Sequence, residues 1–229
     1  MPTNALGQPV GDPLPGWVPP PPPGPVVLTG RTCRLEPLDE QHVEALHQAL
    51  DIDSDESVWS YYPTGPHDLA GLTAFTDGLR ADPTGLPFVV LVDDRPVGTA
   101  SYLRIAPADG SIEVGNIVLG TALQRTTAAT EAMYLLARHA LDDLGYRRYE
   151  WKCDALNAPS VAAAQRLGFT AEGVHRQARV YRGRNRDTAW FSILDREWPD
   201  IRSELERWLA PDNHDDKGRQ RTPLRMPGR

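Results

Sequence analysis

The spacing of apolar residues changes abruptly at Leu119, and what stands on either side leaves the fold little freedom. Before it, three strand-like runs, Pro87–Val92 (PFVVLV), Pro96–Ile105 and Ser111–Leu119, follow one another across short polar turns at Asp93-Asp94 and 106–110. Strands joined this closely pair as an antiparallel meander. After it, Gln124 to Leu144 reads as one long helix with an apolar stripe of Ala129, Ala132, Met133, Leu136, Ala137, Ala140, Leu141 and Leu144, stopped at Gly145. A sheet and a helix that each carry an apolar face bury them against each other.

The rest of the chain extends this core. Arg31–Leu38 predicts a strand, and Asp39 predicts the N-cap of a helix through about Leu50. A second helix is expected from about Asp68 to Arg80, ended by Pro83 and Gly85. Beyond the long helix come a strand at Arg148–Cys153, a short helix at Asn157–Leu167 stopped by Gly168, strands at Thr170–Tyr181 and Asp187–Leu194 about a turn at Arg182–Asn185, and a last helix at Pro199–Leu209. A meander followed by a strand–helix–strand crossover gives an α/β domain, with a mixed, mostly antiparallel central sheet and helices on both faces. Residues 1–25, with the run Pro19–Pro23, form an extension that favours polyproline II. The domain spans 26–210, and the polar stretch 211–229 is expected to be a solvated, mobile tail.

Composition narrows the function. Twenty-four basic residues against thirty-one acidic ones give a net charge of −7. That argues against nucleic acid or an anionic membrane as a partner. No apolar run reaches the length of a membrane span, and no signal-peptide pattern opens the chain. Two cysteines, Cys33 and Cys153, are too few for a disulfide framework. They read as reduced thiols in a cytoplasmic protein. No His/Cys cluster has metal-ligand spacing, so no metal is expected.

Two constellations carry chemistry. The first, Gln124-Arg125-Thr126-Thr127-Ala128-Ala129-Thr130, joins the strand ending Ile117-Val118-Leu119 to the long helix. A helix start exposes unpaired N–H groups and the positive end of the helix dipole, which together bind anions such as a pyrophosphate. The same residues also suit a plain helix start capped by Thr. The second is Asn157-Ala158-Pro159-Ser160 followed by Leu167-Gly168-Phe169. Asn157 suits an N-cap and Pro159 the first turn.

With these pieces in order, the chain resembles the GNAT N-acyltransferases, in their RimJ/RimL-like branch, from about Val27 to Leu209. The resemblance rests on Arg34-Leu35-Glu36-Pro37-Leu38, Glu113-Val114-Gly115-Asn116, Thr130-Glu131-Ala132, Asn157-x-x-Ser160, Leu167-Gly168-Phe169, Glu172-Gly173 and Arg186-Asp187. It implies transfer of an acyl group from acetyl-CoA, or another acyl-CoA, to a small-molecule or peptide amine by a monomer or homodimer. Succinyl-CoA as donor and a non-catalytic CoA-binding relative are the alternatives. The resemblance makes Gln124 to Ala129 the pyrophosphate loop, with Thr127 and Arg125 where glycine is usual. Thr130 belongs to the same cofactor site. Asn157 then binds the pantetheine arm, and Ile117, Val118 and Leu119 form the strand that pairs with it.

Amine attack on a thioester needs an oxyanion donor, a leaving-group acid and a base. A backbone N–H at Asn116 to Val118 is the expected donor. Ser160 is the expected acid, where many relatives use Tyr. Glu113 is the first candidate for the base, with His175 or a water chain as substitutes. Arg179 stands where the branch often has Glu. Trp59, Tyr61 and Tyr62 fall where the family places its acceptor pocket, though core packing explains at least one of them as well.

Overall fold

The computed structural model describes residues 1–216 and 218–226. Its sheet has eight strands: β1 (Leu28–Thr29), β2 (Arg34–Pro37), β3 (Leu86–Val92), β4 (Arg95–Ala106), β5 (Ser111–Leu119), β6 (Arg148–Asp154), β7 (Thr170–Tyr181) and β8 (Arg184–Leu194). They lie in the order β1-β2-β3-β4-β5-β6-β8-β7. Every neighbour pair is antiparallel except β5–β6. The helices are α1 (Val43–His47), α2 (Leu69–Ala81), α3 (Thr127–Arg138), α4 (Ala158–Arg166) and α5 (Trp198–Leu209).

Alternation along the strands sends side chains to two cores. On one face Leu35, Phe88, Tyr102, Ile112, Val114, Tyr149, Trp151, Phe191 and Ile193 meet Ala132, Met133 and Leu136 of α3 and Ile201 and Leu205 of α5. On the other face Val89, Leu91 and Val118 meet Leu46, Leu50, Trp59 and Leu72. The helices therefore cover both faces.

Four boundaries differ from the sequence reading, each for a local reason. The strand expected from Arg31 begins at Arg34, as β2, because residues 30–33 form the tight turn from the unexpected β1, closed by Gly30 N–H donating to the Cys33 carbonyl at 2.9 Å. The long helix starts at Thr127, not Gln124. Arg125 adopts φ 62°, and Thr126 caps from an extended conformation. The first helix is a 3₁₀ turn at Glu40–His42, α1, and a wider turn at Gln48–Ile52. The β7–β8 hairpin turns on two residues, Arg182 (φ 48°) and Gly183 (φ 67°), so β8 begins earlier than Asp187. Two positive φ values match the twist of a two-residue hairpin.

Parts of both terminal segments touch the domain. In the N-terminal extension, Trp17 packs beside Gly110, where an added Cβ would come within 3.3 Å of its ring. The stretch after Ala210, expected to be mobile, is tied down where it is described. Asn213 Nδ2 donates to the carbonyls of Trp208 (2.9 Å) and Thr222 (3.1 Å), and Met226 is buried in the main core. Composition concealed this, since a polar segment can dock through a few hydrogen bonds and one apolar anchor. Lys217 and Arg229, counted with that tail, lie outside the described residues. Among the described residues, no helix is long and apolar enough to cross a membrane.

Candidate active site

The site begins where the parallel pair comes apart. β5 and β6 are in register only from Ser111–Val114 against Arg148–Trp151. Beyond that, β5 keeps β4 on one side and has no strand on the other. A bulge drives the bend: pairing with β4 shifts between Ser101–Gly115 and Thr99–Val118, and Asn116 takes φ 48°. The Asn116 carbonyl accepts a hydrogen bond from Thr99 Oγ1 at 3.3 Å. Gly98 allows the strands this close, since a methyl there would sit 2.7 Å from the Val118 carbonyl oxygen.

The loop after β5 is held so that helix amides stay open. Gln124 Nε2 donates to the Leu119 carbonyl at 2.9 Å, and Thr126 Oγ1 accepts from Ala129 N–H at 3.1 Å. The cap satisfies one first-turn donor and leaves the amides of Thr127 and Ala128 without a partner among the described residues. The cap and a bound anion would thus call on different groups of one helix end. Arg125 supplies the left-handed residue that glycine normally supplies, while Thr127 has a negative φ and needs no such freedom.

At Asn157 the two sequence readings also separate by atom. Its Oδ1 accepts from Ser160 N–H at 3.1 Å, which caps α4, and its Nδ2 carries no hydrogen bond among the described residues. Ser160 Oγ accepts from Trp151 Nε1 at 3.0 Å. That contact leaves the Ser160 hydroxyl proton to donate, beside the buried Cys153 thiol. Burial pushes that thiol up from its ordinary value, which keeps it neutral.

Glu113 lies at the apex of the splay, buried among cations. Its Oε2 is 2.8 Å from Lys152 Nζ and 3.0 Å from Arg104 Nε. Its Oε1 lies over Gly115, where a Cβ would come within 3.2 Å of it. Lys152 also meets Glu150 at 2.6 Å and lies 3.7 Å from the centre of the Trp190 ring.

The aromatic segment divides. Trp59 is fully buried, edge-on to Tyr62, His67 and Phe75, so it is core and does not face the cleft. Tyr61 donates from its hydroxyl to the Leu156 carbonyl at 2.9 Å, and burial pushes the Tyr62 phenol up. Both line the cleft, as does His175, whose ring stacks on Trp190 at 4.5 Å. One cleft thus gathers Glu113, Asn116, Ile117, Leu119, Gln124 to Thr130, Asn157, Ser160, Tyr61, Tyr62, His175 and Arg179. Val118 and Trp59 are the expected residues outside it. Val118 points into the second core, and only its backbone lies at the strand edge.

Sequence reasoning missed several supporting residues. Trp151 and Lys152 alternate on β6, which assigns each a face but not its contact with Ser160 or Glu113. Arg166 donates to Thr130 Oγ1 at 3.0 Å and lies 4.8 Å from the Trp208 ring centre, at the loop end. Arg182 donates to the carbonyls of Trp59, Thr64 and Gly65 at 3.3, 2.9 and 2.6 Å, pinning the aromatic segment to the β7–β8 turn. Among the described residues, no three His, Cys, Asp or Glu side chains gather to hold a metal ion.

Known proteins share this architecture. The acetyltransferase (GNAT) domain family matches residues 33–170. A crystal structure of a GCN5-related N-acetyltransferase from Brucella melitensis is 41% identical with a TM-score of 0.89, covering 92% of this chain and 97% of that one. An uncharacterized N-acetyltransferase, p20, of Bacillus licheniformis is 31% identical over 48% of this chain, and the match spans 61% of that protein, under two-thirds of its length. The ribosomal-protein-serine acetyltransferase of Escherichia coli is 24% identical over 66% of this chain and 87% of its own. The family match takes in the splayed pair, the loop at its mouth and the turn that presents Ser160, and on it the chain belongs to the GNAT acetyltransferase family.

Proposed function

We propose that the chain moves an acetyl group from acetyl-CoA to a primary amine by direct attack, both substrates being held in the one cleft. The carrying observation is that this cleft joins unpartnered helix amides at Thr127 and Ala128 to an oriented hydroxyl at Ser160, along a free edge of β5. The amides suit the pyrophosphate, and the Ile117–Leu119 edge and Asn157 Nδ2 suit the amide-rich pantetheine arm. The thioester supplies an activated carbonyl carbon.

The chemistry asks four things of the chain. A backbone N–H near the Asn116 bulge receives the oxyanion. The amine nitrogen forms the C–N bond as the C–S bond breaks. The departing thiolate takes a proton from Ser160 or from water held by it, and the amine gives one up through water to the Glu113 carboxylate, whose Oε1 lies over Gly115. A thiolate leaves readily, so a weak acid is enough.

The Escherichia coli relative acts, by its name, on a ribosomal-protein serine, which supports a peptide N-terminus as one acceptor beside small amines. Calorimetric titration with acetyl-CoA, followed by thiol release with a panel of amines and N-terminal peptides, tests the proposal. Binding with amine-dependent thiol release is expected. Binding without release from any amine would leave a CoA-binding protein, and no binding would remove the proposal.

A further inference from the structure

Three residues of β8 share one face and are not used by the chemistry above. Arg186, Thr188 and Trp190 alternate along the strand, and all three line the cleft. Arg186 Nε, Thr188 Oγ1 and Trp190 Nε1 are each buried with no hydrogen-bond partner in the described chain. Thr188 is only 7% exposed. Buried polar atoms are nearly always paired, so three in a row on one cleft-lining face are donors that a ligand reaching into the cleft would pair.

Their neighbours do not answer them. Asp154, the register partner of Thr188, accepts from Leu156 N–H and from the Tyr181 hydroxyl, both at 2.8 Å, and makes no hydrogen bond to the Thr188 hydroxyl. Lys152, the register partner of Trp190, is spent on Glu113 and Glu150. The Arg186 guanidinium and the Trp190 indole can only donate, and Thr188 can donate. The complement of such a row is a small anionic acceptor, and a charged acceptor strengthens each bond it receives. Phosphate has its own place at the other end of the cleft, at the start of α3. The anion that a substrate of acyl transfer can bring to this end is a carboxylate.

We propose that Arg186, Thr188 and Trp190 form a carboxylate subsite in the acyl-transfer cleft. The inference rests on the transferase reading, since the carboxylate belongs either to an amino-acid acceptor or to the far end of a dicarboxylic acyl chain such as succinyl.

Calorimetry on the full chain separates these sources. One arm compares succinyl-CoA with acetyl-CoA. The other compares N-acetyl amino acids with their matching amides on protein saturated with CoA. The carboxylated member of one pair is expected to bind about tenfold tighter or more, the worth of a charge-assisted hydrogen bond. Arg186→Gln should abolish that preference, and Thr188→Val and Trp190→Phe should each reduce it. Circular dichroism and thermal unfolding confirm the fold. If Arg186→Gln does not fold, the other two variants decide. Equal binding within both pairs in the wild type would overturn the subsite, and so would a preference that survives the variants. If acetyl-CoA itself does not bind, the transferase reading falls separately, and the acid–amide pairs titrated on the protein alone still judge the row.

Discussion

Ser160 illustrates how one residue acquires a role from its neighbours. A serine hydroxyl in the first turn of a helix ordinarily bonds its own backbone. Here the first-turn amide goes to Asn157, and Trp151 holds the Ser160 oxygen. If the freed proton reaches the thiolate, Ser160→Ala should lower kcat about 10²-fold, the low end for general acid catalysis, with little change in acetyl-CoA affinity. Trp151→Phe should give a smaller fall in kcat by loosening the same hydroxyl. Equal single-turnover rates for wild type and Ser160→Ala would assign the proton to solvent. Arg125 shows the opposite case, a side chain tolerated against backbone preference. At φ 62° it bears left-handed strain of about 1 kcal/mol that glycine would not. Arg125→Gly should therefore raise stability by up to about 1 kcal/mol in urea unfolding, offset in part by glycine's greater unfolded-state entropy.

Among the elements, the contact between α3 and the β1–β2 turn depends on one buried carboxylate. Glu131 accepts from the backbone N–H groups of Arg31 (2.9 Å) and Thr32 (2.6 Å) and from the Thr32 hydroxyl. The sequence places Glu131 beside the apolar stripe of the long helix and gives no sign of its partners, which lie about a hundred residues away. Glu131→Ala leaves these donors buried and unanswered. It should cost about 3 kcal/mol in chemical unfolding, and Glu131→Gln distinctly less. The same carboxylate affects Cys33. Burial first, then Glu131, push the thiol from 9.0 up to about 12. A raised thiol pKa adds stability that is complete below about pH 9 and lost as pH rises toward 12. Cys33→Ala should thus flatten the fall in stability between those values, read from unfolding midpoints across the alkaline range. Native Cys33 should resist alkylation at pH 8.

For the whole molecule, legibility follows the range of the interactions involved. Strands β2 to β8, α2, α4 and α5 were readable because apolar period and caps such as Asp68 and Asn157 are local, whereas the two-residue β1 is too short to show a period. The cleft residues on the loop and on β5 were readable because they share a short segment. What pairs across the sheet was not: Lys152 with Glu113, Trp151 with Ser160, and the β8 row. Nor was the docking of the chain after Ala210, whose composition is that of a solvated end. There Trp208 Nε1 donates to Gln220 Oε1 at 2.7 Å, and Leu224 and Met226 pack on the main core. His214, Arg219 and Gln220 line the same cleft as Thr130 and Arg166, at the loop end. Ending the chain at Ala210 should therefore do two things. It uncovers Trp208 and removes a buried Met side chain, costing about 2–3 kcal/mol by area, seen as a lower Tm. It also opens the loop end of the cleft to water, so acetyl-CoA should bind more weakly. A truncated chain with full stability and unchanged acetyl-CoA affinity would return the segment to a solvated tail. A chain that loses stability alone would make the docking structural, with no part in holding the donor.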